Sequence, residues 1–348
     1  MTRRRLSFSL LRIWARSAVK VVYGRVSITG AERVATEGPV IFAMNHSNAL
    51  ADVAVIVAKA PKFPHFLAAA SWWRKRYARM LFAIGGVLPL QRRRDGDGPF
   101  DNAQTFEACS RALAEHAHLV IFPEGVMHPE PVLRPLKTGA ARIGLGAAES
   151  GVRGVTIVPV GLDYEDRGRF RSDAVYRYGR PLVIDDWLDQ YRADQWATVR
   201  AVTAELAKEL ACVSTPRPFV KQASALERRR RRREMALLTV PAAVGAVAHA
   251  PILAGGAVVP LLCDDMWQAT VRGVGGTVLL PALWAGEGLW LARRYGFRRA
   301  AALMVAVAAC GACTLGWIDR KRALDRREGR PASNPDAAYG VVRRNSIT

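Results

Sequence analysis

Between residues 30 and 210, strand-like apolar runs alternate with helix-like stretches, and the runs break abruptly into polar turns. "PVIFAMN" and "HLVIFPEG" both end this way, "GVTIVPVGLDY" is β-branched and bounded by glycine, and "TGAARIGLGAAES" and "DQWATVRAVTAELAKELACV" read as helices. Such alternation predicts an α/β domain with a largely buried sheet, because continuous apolar runs need cover on both faces. In sheets of this kind, binding and catalytic residues gather just past the strand ends. The polar turns therefore carry the functional question.

The first turn lies in "GPVIFAMNHSNALADVAVIVA", residues 38–58, as a strand, a turn and the start of a helix. His46 and Asp52 are six positions apart, which at 3.6 residues per turn is about 240° around a helix, so the two could not meet if both were helical. With His46 in the turn, its ring folds back toward Asp52 in the first helical turn, where the helix dipole favours a carboxylate. A carboxylate on one ring nitrogen fixes the tautomer and leaves the other nitrogen to take a proton. These residues alone leave open an ordinary turn histidine beside an ordinary first-turn acid. The chain has no G-x-S-x-G, H-E-x-x-H or Walker loop, and "GLGAAE" lacks the third glycine of a dinucleotide fingerprint. A base without a nucleophile of its own is expected to activate a hydroxyl on the substrate.

A second turn, in "LVIFPEGVMHPEPVLRPLKTGAARIGL", presents Glu124 on a Pro123/Gly125 corner. Pro-Glu-Gly is also common turn chemistry. Arg134 and Lys137 then precede a helix rich in small residues, an arrangement suited to an anion. A third, "IGGVLPLQRRRDGDG", ends in Arg92, Arg93 and Arg94, which are either anion ligands or solvated loop arginines.

The flanks read as membrane-associated. "MTRRRLSFSLLRIWARSAVKVVYGRV" begins like a signal peptide, but Arg12, Arg16 and Lys20 interrupt it and no cleavage site follows. Residues 1–27 are expected to form an amphipathic helix, with Leu10, Leu11, Trp14, Val19 and Val22 on one side and the three cations on the other, lying on anionic lipid. A basic linker, 214–234, contains the run Arg228 to Arg233, a hydrophobic region fills 235–318, and a polar tail occupies 319–348. Within that region the stretches 235–263 and 273–292 are long enough to cross a bilayer, whereas 300–318 is short and rich in Ala and Gly, and is expected to be re-entrant or interfacial. A two-span hairpin would then place the arginine run and "RRYGFRRA" together on the cytoplasmic side. The formal charge of +21 calls for an anionic partner. An arginine run abutting a span, without interleaved aromatics, favours a phospholipid surface over nucleic acid. Five scattered cysteines, Cys109, Cys212, Cys263, Cys310 and Cys313, imply no disulfide framework.

In their order along the chain, "NHSNALAD", "GGVLPLQR", "FPEG" and "IVPVGLDY" resemble the four blocks of the glycerolipid acyltransferase superfamily, which contains the bacterial 1-acylglycerol-3-phosphate acyltransferases. The resemblance implies an α/β catalytic domain over 28–213 with a largely buried mixed sheet and C-terminal transmembrane helices. It also implies a general base at His46 oriented by Asp52, a phosphate ligand at Arg92, and acceptor contacts at Glu124 and Gly125. The first block is spaced H-x5-D where most members have H-x4-D, and Val126 and Met127 stand where most have Thr-Arg. Together with "LRPLKTGAARI" and "VPVGLDYEDRGRFRS", these departures resemble a narrower branch, the fungal-type glycerol-3-phosphate/dihydroxyacetone-phosphate acyltransferases and their bacterial relatives. By charge and position, Arg134, Lys137 and Arg171 are the expected replacements for the absent arginine.

The implied function is a membrane-bound O-acyltransferase of phospholipid biosynthesis on the cytoplasmic face of the cell membrane. It would move an acyl group from acyl-CoA or acyl-ACP to glycerol-3-phosphate or 1-acylglycerol-3-phosphate, with no metal or organic cofactor. Backbone N–H groups in the turn from Ser47 to Ala49, with Ser47 and Asn48 foremost, are expected by proximity to stabilise the oxyanion. The competing reading is a catalytically silent membrane binding or scaffold protein of the same fold, which would have no use for His46, Asp52 and Glu124 together.

Overall fold

The computed structural model describes residues 2–34, 37–60, 62–91, 102–128, 130, 132–215, 224–258, 262–263 and 265–325. It divides into two compact units, Met1–Val19 with Val26–Asp163 and Ala174–Pro216, and Lys20–Arg25 with Tyr164–Asp173 and Arg217–Thr348.

The first unit is organised by a sheet of β1 (Tyr23–Thr29), β2 (Val40–Met44), β3 (His65–Ala69), β4 (Leu88–Leu90), β5 (His118–Ile121), β6 (Thr156–Tyr164), β7 (Ser172–Tyr178) and β8 (Leu182–Val183). The spatial order is β1-β7-β6-β2-β5-β3-β4, with β8 on β6. β6, β2, β5, β3 and β4 run parallel, whereas β8 is antiparallel to β6, so the sheet is mixed. Every residue of β2 is buried, as the unbroken apolar run "VIFAM" requires of a central parallel strand. The parallel strands bring their carboxyl ends to one edge, and β2 and β5 are neighbours there, paired through Ala43 and Ile121.

Helices α1 (Thr2–Val22), α2 (Ala49–Lys59), α3 (Arg76–Gly85), α4 (Ala103–Ala114), α5 (Gly139–Glu149), α6 (Leu188–Ala193) and α7 (Gln195–Ser214) accompany the sheet. Leu113, Ile143, Leu145 and Leu206 pack with Ile41, Leu119 and Ile157 in one core cluster. The small residues of "TGAARIGLGAAES" let α5 lie close: a Cβ on Gly144 would sit 3.3 Å from Ile157 and Ile184 side-chain atoms. In α1 the expected division of faces is partly reversed. Arg12 donates to the Ala60 carbonyl and Arg16 Nε to the Ala58 carbonyl at 3.3 Å, so these cations satisfy the carboxyl end of α2. The apolar residues Leu10, Ile13 and Trp14 are exposed, whereas Val19 and Val22 are buried.

The second unit contains α8 (Ala225–Ala248), α9 (Ala250–Val258), α10 (Asp265–Tyr295) and α11 (Phe297–Asp325). Ser224 and Glu227 close a capping box at the start of α8, which carries the arginine run as helix and continues into apolar sequence. Helix α11 and the stretch Trp267–Tyr295 of α10 are long and apolar enough to cross a membrane, whereas α8 and α9 meet at a 76° bend. This corrects the expected spans: the stretch 300–318 belongs to an unbroken helix of 29 residues, and the bend falls in the first stretch. Helices α8 and α11 are antiparallel, since Arg320 Nε donates to Glu234 Oε2 at 2.7 Å and Thr314 Oγ1 donates to the Ala242 carbonyl at 2.8 Å. The arginine run therefore lies at the Arg320 end of α11, and "RRYGFRRA", around the turn at Gly296, lies at the other. The two basic segments expected on one side are separated by the length of α11.

Candidate active site

Strand β2 delivers Asn45 and His46 past its carboxyl end, and the chain turns directly into α2. The Asn45 side chain donates to the Leu162 carbonyl at 2.8 Å and accepts the Leu162 N–H at 2.7 Å, so it fastens the turn to β6. His46 Nδ1 lies 2.8 Å from Asp52 Oδ2. That same oxygen accepts the N–H of Ser47 at 3.0 Å and of Asn48 at 2.9 Å. An ionised carboxylate only accepts, so Nδ1 carries the proton and Nε2 presents its lone pair. Asp52 is fully buried while the His46 side chain keeps 20% exposure, so a buried acid holds an accessible base. Phe122, just past β5, stacks on the imidazole with centroids 4.0 Å apart and fixes the ring plane.

The neighbouring turn follows β5. Gly125 adopts φ 69°, a left-handed conformation that suits glycine, and its N–H bonds the Phe122 carbonyl at 3.0 Å. Glu124 is 2% exposed. Its Oε2 accepts from His128 Nε2 at 2.5 Å and from the Arg134 N–H at 2.8 Å. Lys137 N–H bonds the Pro123 carbonyl at 2.7 Å, which folds the segment after the turn back upon it before α5 begins. The His128 N–H reaches the His46 carbonyl at 3.3 Å and joins the two turns. Arg134 Nη2 is 3.1 Å from Glu130 Oε2. The Glu130 carboxyl is held below its ordinary range, first by its own backbone N–H and then by Arg134.

The structure thus gathers His46, Asp52, Glu124, Gly125, Arg134 and Lys137 around two adjoining turns. Arg92 lies outside the described residues. Ser47 and Asn48 require correction, because both N–H groups already bond Asp52 and are spent on orienting the base. Arg171 is also withdrawn from the phosphate ligands. It lies in the second unit, with Nε 2.7 Å from Asp319 Oδ1, Nη2 on Asp319 Oδ2, and Nη1 on the Lys20 and Val21 carbonyls. Sequence reading passed over His128, although "EGVMHPE" sets a histidine between two acids, and that alternation was the available signal.

Residues 25–163 match the profile of the Acyltransferase family. Over 120 residues the chain is 37% identical to glycerol-3-phosphate O-acyltransferase 2 of Saccharomyces cerevisiae, a match covering 34% of this chain and 16% of that protein. Glycerol-3-phosphate O-acyltransferase 1 of the same yeast is 36% identical over 85 residues, 24% of this chain and 11% of that one. The match therefore spans no more than 16% of the length of these relatives. A solved structure, the 1-acyl-sn-glycerophosphate acyltransferase of Thermotoga maritima, shares 16% identity with a TM-score of 0.42, over 60% of this chain and 80% of that one. The segment from residue 25 to residue 163 is thus similar to the acyltransferase domains of these relatives.

Proposed function

We propose that the protein is a membrane-bound O-acyltransferase of phospholipid biosynthesis that moves a fatty acyl group from a thioester to a hydroxyl of a glycerol-phosphate acceptor. The observation that carries this reading is the His46–Asp52 pair, with Nδ1 committed to the acid, the ring stacked on Phe122, and the His46 carbonyl tied to the His128 N–H of the neighbouring turn. In the proposed step His46 Nε2 takes the acceptor's hydroxyl proton as the oxygen attacks the thioester carbonyl carbon. The tetrahedral intermediate collapses with cleavage of the C–S bond, and the imidazolium returns the proton to the leaving thiolate. Proton transfer of this kind is worth about 10²–10⁴-fold. Arg134 and Lys137 supply charge for the acceptor's phosphate. Among the described residues the Ala49 N–H meets the weakly accepting Met127 sulfur, at 3.1 Å, and within the turn from Ser47 to Ala49 it is the donor left for the oxyanion. The step uses the chain's own groups and needs no metal. Helices α10 and α11 anchor the protein in the cell membrane, with the catalytic unit on the cytoplasmic face.

The test is an assay of purified protein with labelled acyl-CoA or acyl-ACP against phosphorylated and unphosphorylated glycerol acceptors. The wild type is expected to acylate the phosphorylated ones, and a folded His46→Ala variant is expected to lose transfer. Wild-type turnover in that variant would end the mechanism.

A further inference from the structure

A cleft of about 390 Å³ opens between α4, α5, α6 and α7, wholly within the first unit, and none of its lining residues belongs to the turns that carry His46 and Glu124. Its volume lies in the range of small-molecule pockets. The wall contains Arg142 of α5, whose guanidinium carbon is 4.7 Å from the ring centroid of Phe106 on α4 and 5.8 Å from that of Trp196 on α7. The rings attract the cation through their faces but bring no counter-charge. Among the described residues no carboxylate lies within ion-pair distance of Arg142, and the acid in the same wall, Glu107, is engaged 2.8 Å from Arg111 instead. A half-buried guanidinium between two rings gives up part of its hydration with no anion to replace it. A clamp serving only to join α4 to α7 would close over that charge, yet here the cleft stays open beside it and Trp196 is 59% exposed.

We propose that this cleft is a second binding site of the protein, for a small organic monocarboxylate with an aromatic or apolar body, which sets its carboxylate on Arg142 and its body along Phe106 and Trp196. Charge selects the class. One uncompensated cation matches one negative charge, and a carboxylate offers two oxygens in the plane that the guanidinium fork fits. A phosphate monoester would bring close to two negative charges against a single cation, with Glu107 in the same wall. A neutral ligand would leave the guanidinium as it is. The hydroxyls of Ser110 and Tyr191 add uncharged donors to the lining, and Ile143 and Val199 add apolar surface for the body.

The wall is shared by helices that also meet in the core, where Leu113 of α4, Ile143 of α5 and Val199 of α7 belong to one cluster. A ligand held by Arg142 and both rings touches all three helices at once. Occupancy therefore stabilises the unit in proportion to ligand concentration, independently of any chemistry at His46.

The test is titration calorimetry on the full chain in a neutral detergent, with 3-phenylpropionate, its amide 3-phenylpropionamide and 3-phenylpropyl phosphate as probes. The wild type is expected to bind the acid at one saturable site, about tenfold or more tighter than the amide, as a hydrogen bond between charged partners implies. Arg142→Met, which keeps length and loses charge, should raise the Kd of the acid by about tenfold or more and hold that of the amide within about twofold. Trp196→Ala, a change at an exposed position, should weaken acid and amide together by about threefold or more. Thermal unfolding without ligand checks that both variants are folded. His46→Ala should bind the acid as the wild type does, and a loss there would move the carboxylate to the catalytic turns and overturn the proposal. Equal affinity for acid and amide in the wild type, undiminished acid binding in Arg142→Met or in Trp196→Ala, or tighter binding of the phosphate would each overturn it as well. So would the absence of saturation by the acid up to about 10 mM.

Discussion

At the scale of the residue, the site depends on where single protons sit. Asp52→Asn replaces a charge that stabilises the imidazolium with a neutral amide, so kcat should fall by about 10²–10⁴-fold, nearly as far as in His46→Ala. Steady-state rates on folded variants check this. His118 offers a test of stability instead. It is fully buried at the start of β5, neither ring nitrogen has a hydrogen-bond partner among the described residues, and it packs edge-on to Phe42. Burial, helped by the charge of Lys62, pushes its pKa down from 6.5 to about 4. Below pH 6.5 the unfolded chain takes up a proton that the folded chain refuses, so stability is full above pH 6.5 and falls as pH drops toward 4. The loss reaches about 3 kcal/mol. His118→Phe should flatten that decline in thermal unfolding followed across the same window. The His46–Asp52 contact was legible in the sequence because a turn followed by a helix is local geometry. Asn45 on Leu162 was not, since nothing near Asn45 names its partner, and His128 on Glu124 was marked only by the alternation of acid and histidine in "EGVMHPE". Arg171 was misread because charge does not reveal whether a guanidinium is already saturated.

At the scale of the element, periodicity located the strands and helices, but neighbours decided which faces they bury. In α1 the arginines at 12 and 16 were assigned to lipid, and the structure turns them onto the open carbonyls of α2. Arg12→Ala with Arg16→Ala should therefore lower unfolding stability by about 1–2 kcal/mol, the range for cations at a helix end. Leu10→Ser, on the exposed side, should leave it unchanged within about 0.5 kcal/mol. Chemical denaturation in detergent measures both, and equal effects would return α1 to the sequence-based division of faces. Helix α11 was underestimated for a similar reason. Only its apolar stretch was counted, whereas the helix runs on through Arg298, Arg299 and Arg320 to Arg322, long side chains that can reach past a bilayer edge.

At the scale of the whole molecule, the antiparallel contact of α8 with α11 ranks the possible topologies. One end of α11 gathers Arg228 to Arg233 with Arg320, Lys321 and Arg322, and the other holds Arg293, Arg294, Arg298 and Arg299. If α10 and α11 cross a membrane, the positive-inside bias predicts the richer end on the cytoplasmic side. A crossing hairpin of α10 and α11 then exposes the turn at Gly296 on the far side. With the native cysteines replaced, Tyr295→Cys should react with a membrane-impermeant reagent in intact cells, and Asp325→Cys only after permeabilisation. The reverse pattern would refute the arrangement. The pairing of β2 with β5 bears on inheritance as well as on chemistry. The His46 turn and the Glu124 turn each hang from one of two strands in fixed register, and side chains alternate faces along a strand. Deleting one residue from Val40 to Met44, or from His118 to Ile121, would swing His46 or Glu124 to the opposite face. Insertions and deletions accumulated by descendants of this gene should collect in the connections and spare those two short intervals.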